Sequence, residues 1–198
     1  MKKLRPIELT FCAVFVCLMA IGANITVWFP MLAIPIGGAT VPLSLQTFIA
    51  TIAGVMLGRK LGSLAMITYI LVGIAGVPVF AKMAAGPMAL INPTGGFILS
   101  FVLTAFVVGA ITQYWQKASI AIYSFAALTG LVINYIFGVT YMYISMNTWL
   151  GLDISYMLAW SGMIPFLIKD AALAGIAAFF MVSITKRIPK RWLLTNTP

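Results

Sequence analysis

Six apolar runs of helix-spanning scale, separated by short cationic clusters, constrain this chain more than any other feature. A spanning helix needs about 20 apolar residues, and one buried among other helices can be shorter or broken. The runs cover Ile7 to Trp28, Leu43 to Gly58, Leu61 to Val77, Phe97 to Gln113, Ser119 to Ile144 and Gly162 to Thr185. They are continuous rather than alternating, which disfavours a β-barrel. Of the 198 residues, 63% are hydrophobic and 8% charged, whereas an ordinary globular domain carries roughly 25% charged residues. A soluble domain and intrinsic disorder are excluded. The expected fold class is an all-α integral membrane protein, a single six-helix transmembrane bundle over residues 1–198.

The cations then orient the bundle. Lys2, Lys3 and Arg5 precede the first run, and Arg59 and Lys60 separate the second from the third. Lys117 separates the fourth from the fifth; Lys186, Arg187, Lys190 and Arg191 follow the sixth. Six crossings place all of these on one side, and basic residues favour the cytoplasm. Both termini are therefore expected to be cytoplasmic. The first run is long for a signal peptide and lacks a small-x-small cleavage site, so none is expected. The net charge of +9 is a topology signal, without the basic groove and interleaved aromatics of a nucleic-acid binder.

The opposite side carries longer connections, about 29–42, 81–96 and 145–160, rich in Gly, Pro, Trp and Tyr. Long loops in a compact fold usually close or build a site. Two cations, Lys82 and Lys169, lie on this half, and Asp170 follows Lys169 within the last run. An ionised side chain inside a span costs at least about 2.5 kcal/mol, which marks Lys169 and Asp170 as candidate ligand contacts, the alternative being that Lys169 snorkels outward and Asp170 caps a local break after Pro165. Adjacent helical residues point about 100° apart, so the two are not expected to face one another. Asn92, Pro93 and the Gly95–Gly96 pair are expected to start the fourth helix abruptly and offer amides to a ligand. Asn24, Gln46, Asn134 and Tyr135 are polar groups inside apolar runs, with Gln46 nearest the outer face. Such residues contact a ligand or hydrogen-bond across helices. Trp28, Phe29, Trp149, Tyr156 and Trp160 read as an interfacial belt.

Ala13, Cys17, Ala20 and Ala23 form a stripe of small residues along the first run, suited to internal packing or to docking another membrane subunit. Cys12 and Cys17 are too badly placed on one helix for a disulfide. The absences narrow function further. His is lacking and Asp plus Glu total three, which excludes His-based catalysis and leaves almost nothing for a carboxylate metal site. No P-loop, H-E-x-x-H or nucleophile–base pair occurs, so no enzyme, cofactor or metal is expected. The chain reads as a binding or translocation subunit without its own engine.

Several ordered segments resemble one family. Pro42-Leu43-Ser44-Leu45-Gln46-Thr47, Leu57-Gly58-Arg59-Lys60-Leu61-Gly62, Gly76-Val77-Pro78-Val79-Phe80-Ala81 and Pro93-Thr94-Gly95-Gly96-Phe97 are similar to segments of the BioY family, the biotin S-components of energy-coupling factor transporters. The likeness covers nearly the whole chain. That family's Gly-Asp-x-x-Lys in the last helix appears here as Lys169-Asp170-Ala171-Ala172-Leu173. The acid is kept, and Lys169 and Lys82 are the available cations. The resemblance implies a prokaryotic plasma-membrane subunit that captures biotin from outside with high affinity. It implies as partners a transmembrane coupling subunit and two ABC-type ATPases. Ala13 and Cys17 would serve docking. Asp170, Lys169, Lys82, Asn92, Gln46, Tyr135, Phe80 and Gly95 would form the site. An S-component for another vitamin, or a stand-alone secondary transporter or channel, is the alternative.

Overall fold

The structure is a computed structural model that describes residues 4–36 and 39–187, with the backbone alone over 32–42. Lys2, Lys3, Lys190 and Arg191 lie outside the described residues. Helix α1 (Pro6–Ala23) starts where Pro6 takes the first helical position. Arg5 caps the start: its backbone N–H donates to Glu8 Oε2 at 2.8 Å while its guanidinium meets Glu8 Oε1 at 2.9 Å. The expected run to Trp28 is interrupted at Asn24 (φ −103°, ψ 14°), and a single turn, α2 (Ile25–Trp28), completes it.

The connection that follows folds into an antiparallel hairpin, β1 (Ala33–Ile36) with β2 (Ala39–Pro42), in register Ala33 to Pro42. The described residues are otherwise helical or irregular.

Helix α3 (Gln46–Ile74) is a folded-back pair. Gln46 Nε2 donates to Tyr69 OH at 2.9 Å across 23 residues, which a continuous helix would hold roughly 35 Å apart. The reversal is at Gly58, whose φ 75° and ψ 177° lie in a region essentially confined to glycine. A Cβ on Gly62 would sit 3.1 Å from Ala53 O, so the two arms lie antiparallel and in close contact. These arms are the second and third apolar runs read from the sequence.

Beyond α3, a 3-10 turn at Ala81–Met83 and the short α4 (Met88–Ile91) lead into α5 (Gly95–Trp115). Then come α6 (Ile120–Thr148) and α7 (Tyr156–Arg187), which carries Pro165 within it. The last two helices extend past their expected limits, so the connection expected over 145–160 shrinks to residues 149–155. Among the described residues five helices, α1, α3, α5, α6 and α7, are long and apolar enough to cross a membrane.

Packing follows membrane logic. A Cβ on Gly54 would lie 2.7 Å from Ala105 O, and one on Gly109 would lie 2.6 Å from the Gly58 carbonyl carbon. Glycines thus bring the α3 reversal against the α5 backbone, the close approach that dispersion-driven packing in lipid requires. Large apolar side chains such as Leu9, Phe106, Phe137 and Phe179 point outward, while Ser100, Thr104 and Asn134 are buried. An exterior this apolar is stable only where hydrocarbon covers it.

The bundle has two different ends. At one, Arg59 N–H donates to Gln113 Oε1 at 3.4 Å, next to Lys60 and close in sequence to Lys117. At the other, α6 holds α4: Tyr141 OH donates to Leu90 O, and Ser145 Oγ and Trp149 Nε1 both donate to Ile91 O. Trp149, read as a belt residue, is thus a strut for the connection before α5.

Candidate functional site

At this second end lies a cavity of about 730 Å³, within the range of small-molecule sites. Its roof is the chain between α3 and α5, including Phe80, Lys82, Asn92 and Thr94. Its walls are apolar: Phe97 and Phe101 from α5, Met142 and Met146 from α6, and Met163 and Phe166 from α7.

Polar groups gather on one side. Asp170 is 6% exposed, and its Oδ2 accepts from Tyr135 OH at 2.9 Å and from Thr47 Oγ1 at 3.4 Å. Asn134 Nδ2 donates to Thr47 Oγ1 at 3.3 Å, and Ser100 Oγ donates to Asn134 Oδ1 at 2.5 Å. One connected network therefore joins α3, α5, α6 and α7. Such a network rigidifies a bundle because each unpaired member would sit in a low-dielectric interior.

Lys169 and Asp170 do meet, contrary to the expectation from helical geometry. Lys169 Nζ stands 2.7 Å from Asp170 Oδ1 and donates to Ser44 O at 2.5 Å. The lysine stem is long enough to curl back over the neighbouring residue, so the 100° offset at Cα does not decide the contact. Asp170 Oδ1 is buried and receives no well-aligned hydrogen bond. It is held by charge alone, and it keeps acceptor capacity for a donor arriving in the cavity.

The other expected residues sort unevenly. Lys82, Asn92, Gln46, Tyr135 and Phe80 all line the cavity. Gln46 is 5% exposed, with its amide nitrogen committed to Tyr69 OH, which donates in turn to Val79 O at 3.0 Å. Phe80 is 1% exposed and packs edge-on against Tyr69, with ring centroids 5.5 Å apart. Tyr135 is set edge-on to Phe97 at 5.7 Å.

Gly95 does not line the cavity. It is buried against the Leu90 backbone, where a Cβ has no room, and its N–H donates to Asn92 O at 2.8 Å. The amides expected to await a ligand there are thus used locally, since Phe97 N–H also donates to Thr94 O at 3.2 Å. The stripe on α1 divides: Ala13 and Cys17 face outward, while Ala23 is fully buried.

Sequence reasoning missed Thr47 and the methionine and phenylalanine walls. Thr47 directly follows Gln46 in the quoted segment, which was its only signal. The wall residues look like any other apolar position.

Residues 1–190 match the BioY family. The chain is similar to BioYB of Bacillus subtilis (strain 168), 40% identical over 189 residues that cover 96% of this chain and 92% of that protein. It is also similar to the biotin transporter BioY of Thermotoga maritima, 34% identical over 179 residues, 90% of this chain and 96% of the other. The fold is similar to that of an S-component for biotin from an ECF-type ABC transporter. That likeness has a TM-score of 0.72 at 20% identity and covers 94% of this chain and 95% of the other.

Proposed function

The chain belongs to the BioY family, and from that premise we propose that it is the membrane-embedded biotin-binding subunit of an ATP-driven vitamin importer. The observation that carries this reading is an apolar cavity of about 730 Å³ holding one buried carboxylate beside one ammonium. Biotin is a bicyclic thioether with two ureido N–H donors at one end and a carboxylate at the other. Asp170 Oδ1, or Asn92, accepts a ureido N–H. Lys169 or Lys82 meets the carboxylate, and the Phe and Met walls take the ring and chain. Excluding water in this way strengthens each polar contact.

The two arms of α3 make six passes in all, and the end carrying Arg59, Lys60 and Lys117 is cytoplasmic under the basic-residue rule. Both termini are then cytoplasmic and the cavity opens outward. The chain takes its energy from partners: a transmembrane coupling subunit, docked at the outward Ala13 and Cys17 face, and two ABC-type ATPases.

Titration of the purified protein with biotin tests the reading. Saturable tight binding, with no competition from thiamin or riboflavin, is expected. The absence of any heat or fluorescence change refutes it, and competition by another vitamin reassigns the ligand. Biotin accumulation in proteoliposomes lacking an ATPase would instead identify a stand-alone transporter. Lys169→Ala and Lys82→Ala, compared on biotin and biotin amide, identify the cation that reads the carboxylate.

A further inference from the structure

Residues 80–84 form a short strap on the roof of the cavity, and Phe80, Ala81, Lys82 and Ala84 line it. The strap closes on itself through a hydrogen bond from Phe80 N–H to Ala84 O at 3.1 Å. Two successive non-glycine residues, Lys82 (φ 61°) and Met83 (φ 56°), occupy the left-handed region. L side chains disfavour that conformation, and it persists only where the surroundings hold it.

Asn24 does the holding from another helix. Met83 N–H donates to Asn24 Oδ1 at 2.7 Å, across 59 residues of sequence. The same side chain donates through Nδ2 to Ala20 O at 3.0 Å and reaches Val79 O at 3.5 Å. Asn24 is 3% exposed, sits at the break between α1 and α2, and does not line the cavity. The amide offers an acceptor for the strap N–H together with donors for a helix carbonyl and for the carbonyl of Val79, just before the strap. An aliphatic side chain of the same size would leave the Met83 N–H without its Asn24 acceptor, while Val79 O keeps its bond from Tyr69 OH.

We propose that Asn24 is a positioning residue for ligand retention: it ties the 80–84 strap to α1 and so holds Phe80 and Lys82 over the cavity. This rests on the ligand-binding reading above. The strap cannot lift without breaking the Met83–Asn24 bond, so Asn24 sets how readily the cavity opens and releases its ligand.

The test uses the full-length protein with Asn24→Ala and Asn24→Ser. Serine can still bond back to Ala20 O within its own helix and is too short to reach Met83, so it separates the strap from the helix end if alanine does not fold. Two quantities are read: hydrogen exchange of the peptide covering 80–86, and dissociation of radiolabelled biotin. Loss of one buried hydrogen bond predicts exchange and release each faster by about tenfold, with the number of sites unchanged. Met83→Asn, a residue that tolerates the left-handed region, should slow exchange back toward wild type when combined with Asn24→Ala.

Unchanged exchange in both Asn24 variants overturns the proposal, and so does faster exchange with unchanged release. Fewer sites with normal release would mark a general folding defect and would also overturn it. If wild-type protein retains no biotin, the biotin reading fails, and the exchange measurement alone then decides whether Asn24 holds the strap.

Discussion

Asp170→Asn isolates the charge at the centre of the site, because it removes the negative charge with almost no change of shape. In the native structure the Lys169–Asp170 separation is 2.7 Å, a gross attraction of about 6 kcal/mol at an effective dielectric near 20. Most of that is offset by desolvation, and removing one partner of a buried pair costs about 3–5 kcal/mol. The lysine side chain is 23% exposed and keeps Ser44 O as an acceptor, which places the expected loss at the lower end, about 3 kcal/mol. The remaining contacts add little. Tyr135 OH can turn to accept from the new amide, and the Thr47 contact is long at 3.4 Å.

For a chain of this size that loss lowers Tm by about 6–12 °C. Cys12 is 5% exposed, so its alkylation on heating, in a Cys17→Ala background in detergent, reports unfolding. Lys169→Met alone should also destabilise, and the double variant should recover part of the loss. The pair's coupling should reach at least about 1 kcal/mol. Single effects that add to within about 0.5 kcal/mol, with a Tm shift under about 2 °C for Asp170→Asn, would refute the ion pair as a structural element.

Other perturbations follow from the same geometry. Tyr135→Phe removes the hydroxyl 2.9 Å from the Asp170 carboxylate. It should weaken biotin binding about tenfold in a titration, since a hydrogen bond to a charged group contributes about 1.5–3 kcal/mol; equal affinity would remove Tyr135 from the site. Gly58→Ala forces a Cβ onto φ 75° and should cost about 1–3 kcal/mol, visible as a lower Tm and folded yield. A cysteine at Lys60, with Cys12 and Cys17 changed to Ala, should react with an impermeant maleimide in inside-out vesicles and not in right-side-out ones. The reverse pattern would invert the topology.

The bulk architecture was legible from short stretches of chain. Hydrocarbon transfer is close to additive along a helix, so the apolar runs reported the bundle helices without any tertiary information. The weakest boundary fell between Gly58 and Leu61, where only two cations and two glycines signalled a reversal. Asn24 could be noticed as a polar group in an apolar run, yet its partner Met83 lies 59 residues away. Gly95 looked like a ligand-facing amide because a glycine pair near a helix start suits both an anion site and close packing. Only the adjacent Leu90 backbone distinguishes the two.

By itself the sequence determined that this chain is a helical membrane protein, that most of its cations cluster in the sequence between apolar runs or outside the first and last of them, and that Asp170, Lys169 and Lys82 stand apart from those clusters. Those conclusions depend on composition and order along the chain. Only the tertiary structure decided which way each helix turns: Ala13 and Cys17 outward, Ala23 inward, and Thr47 and Tyr135 converging on Asp170 with Asn134 behind Thr47. The physical reason is that lipid and protein interior are both apolar. A helix buried on every side carries no strong hydrophobic stripe, so hydropathy says how deep a residue lies and is silent on its direction.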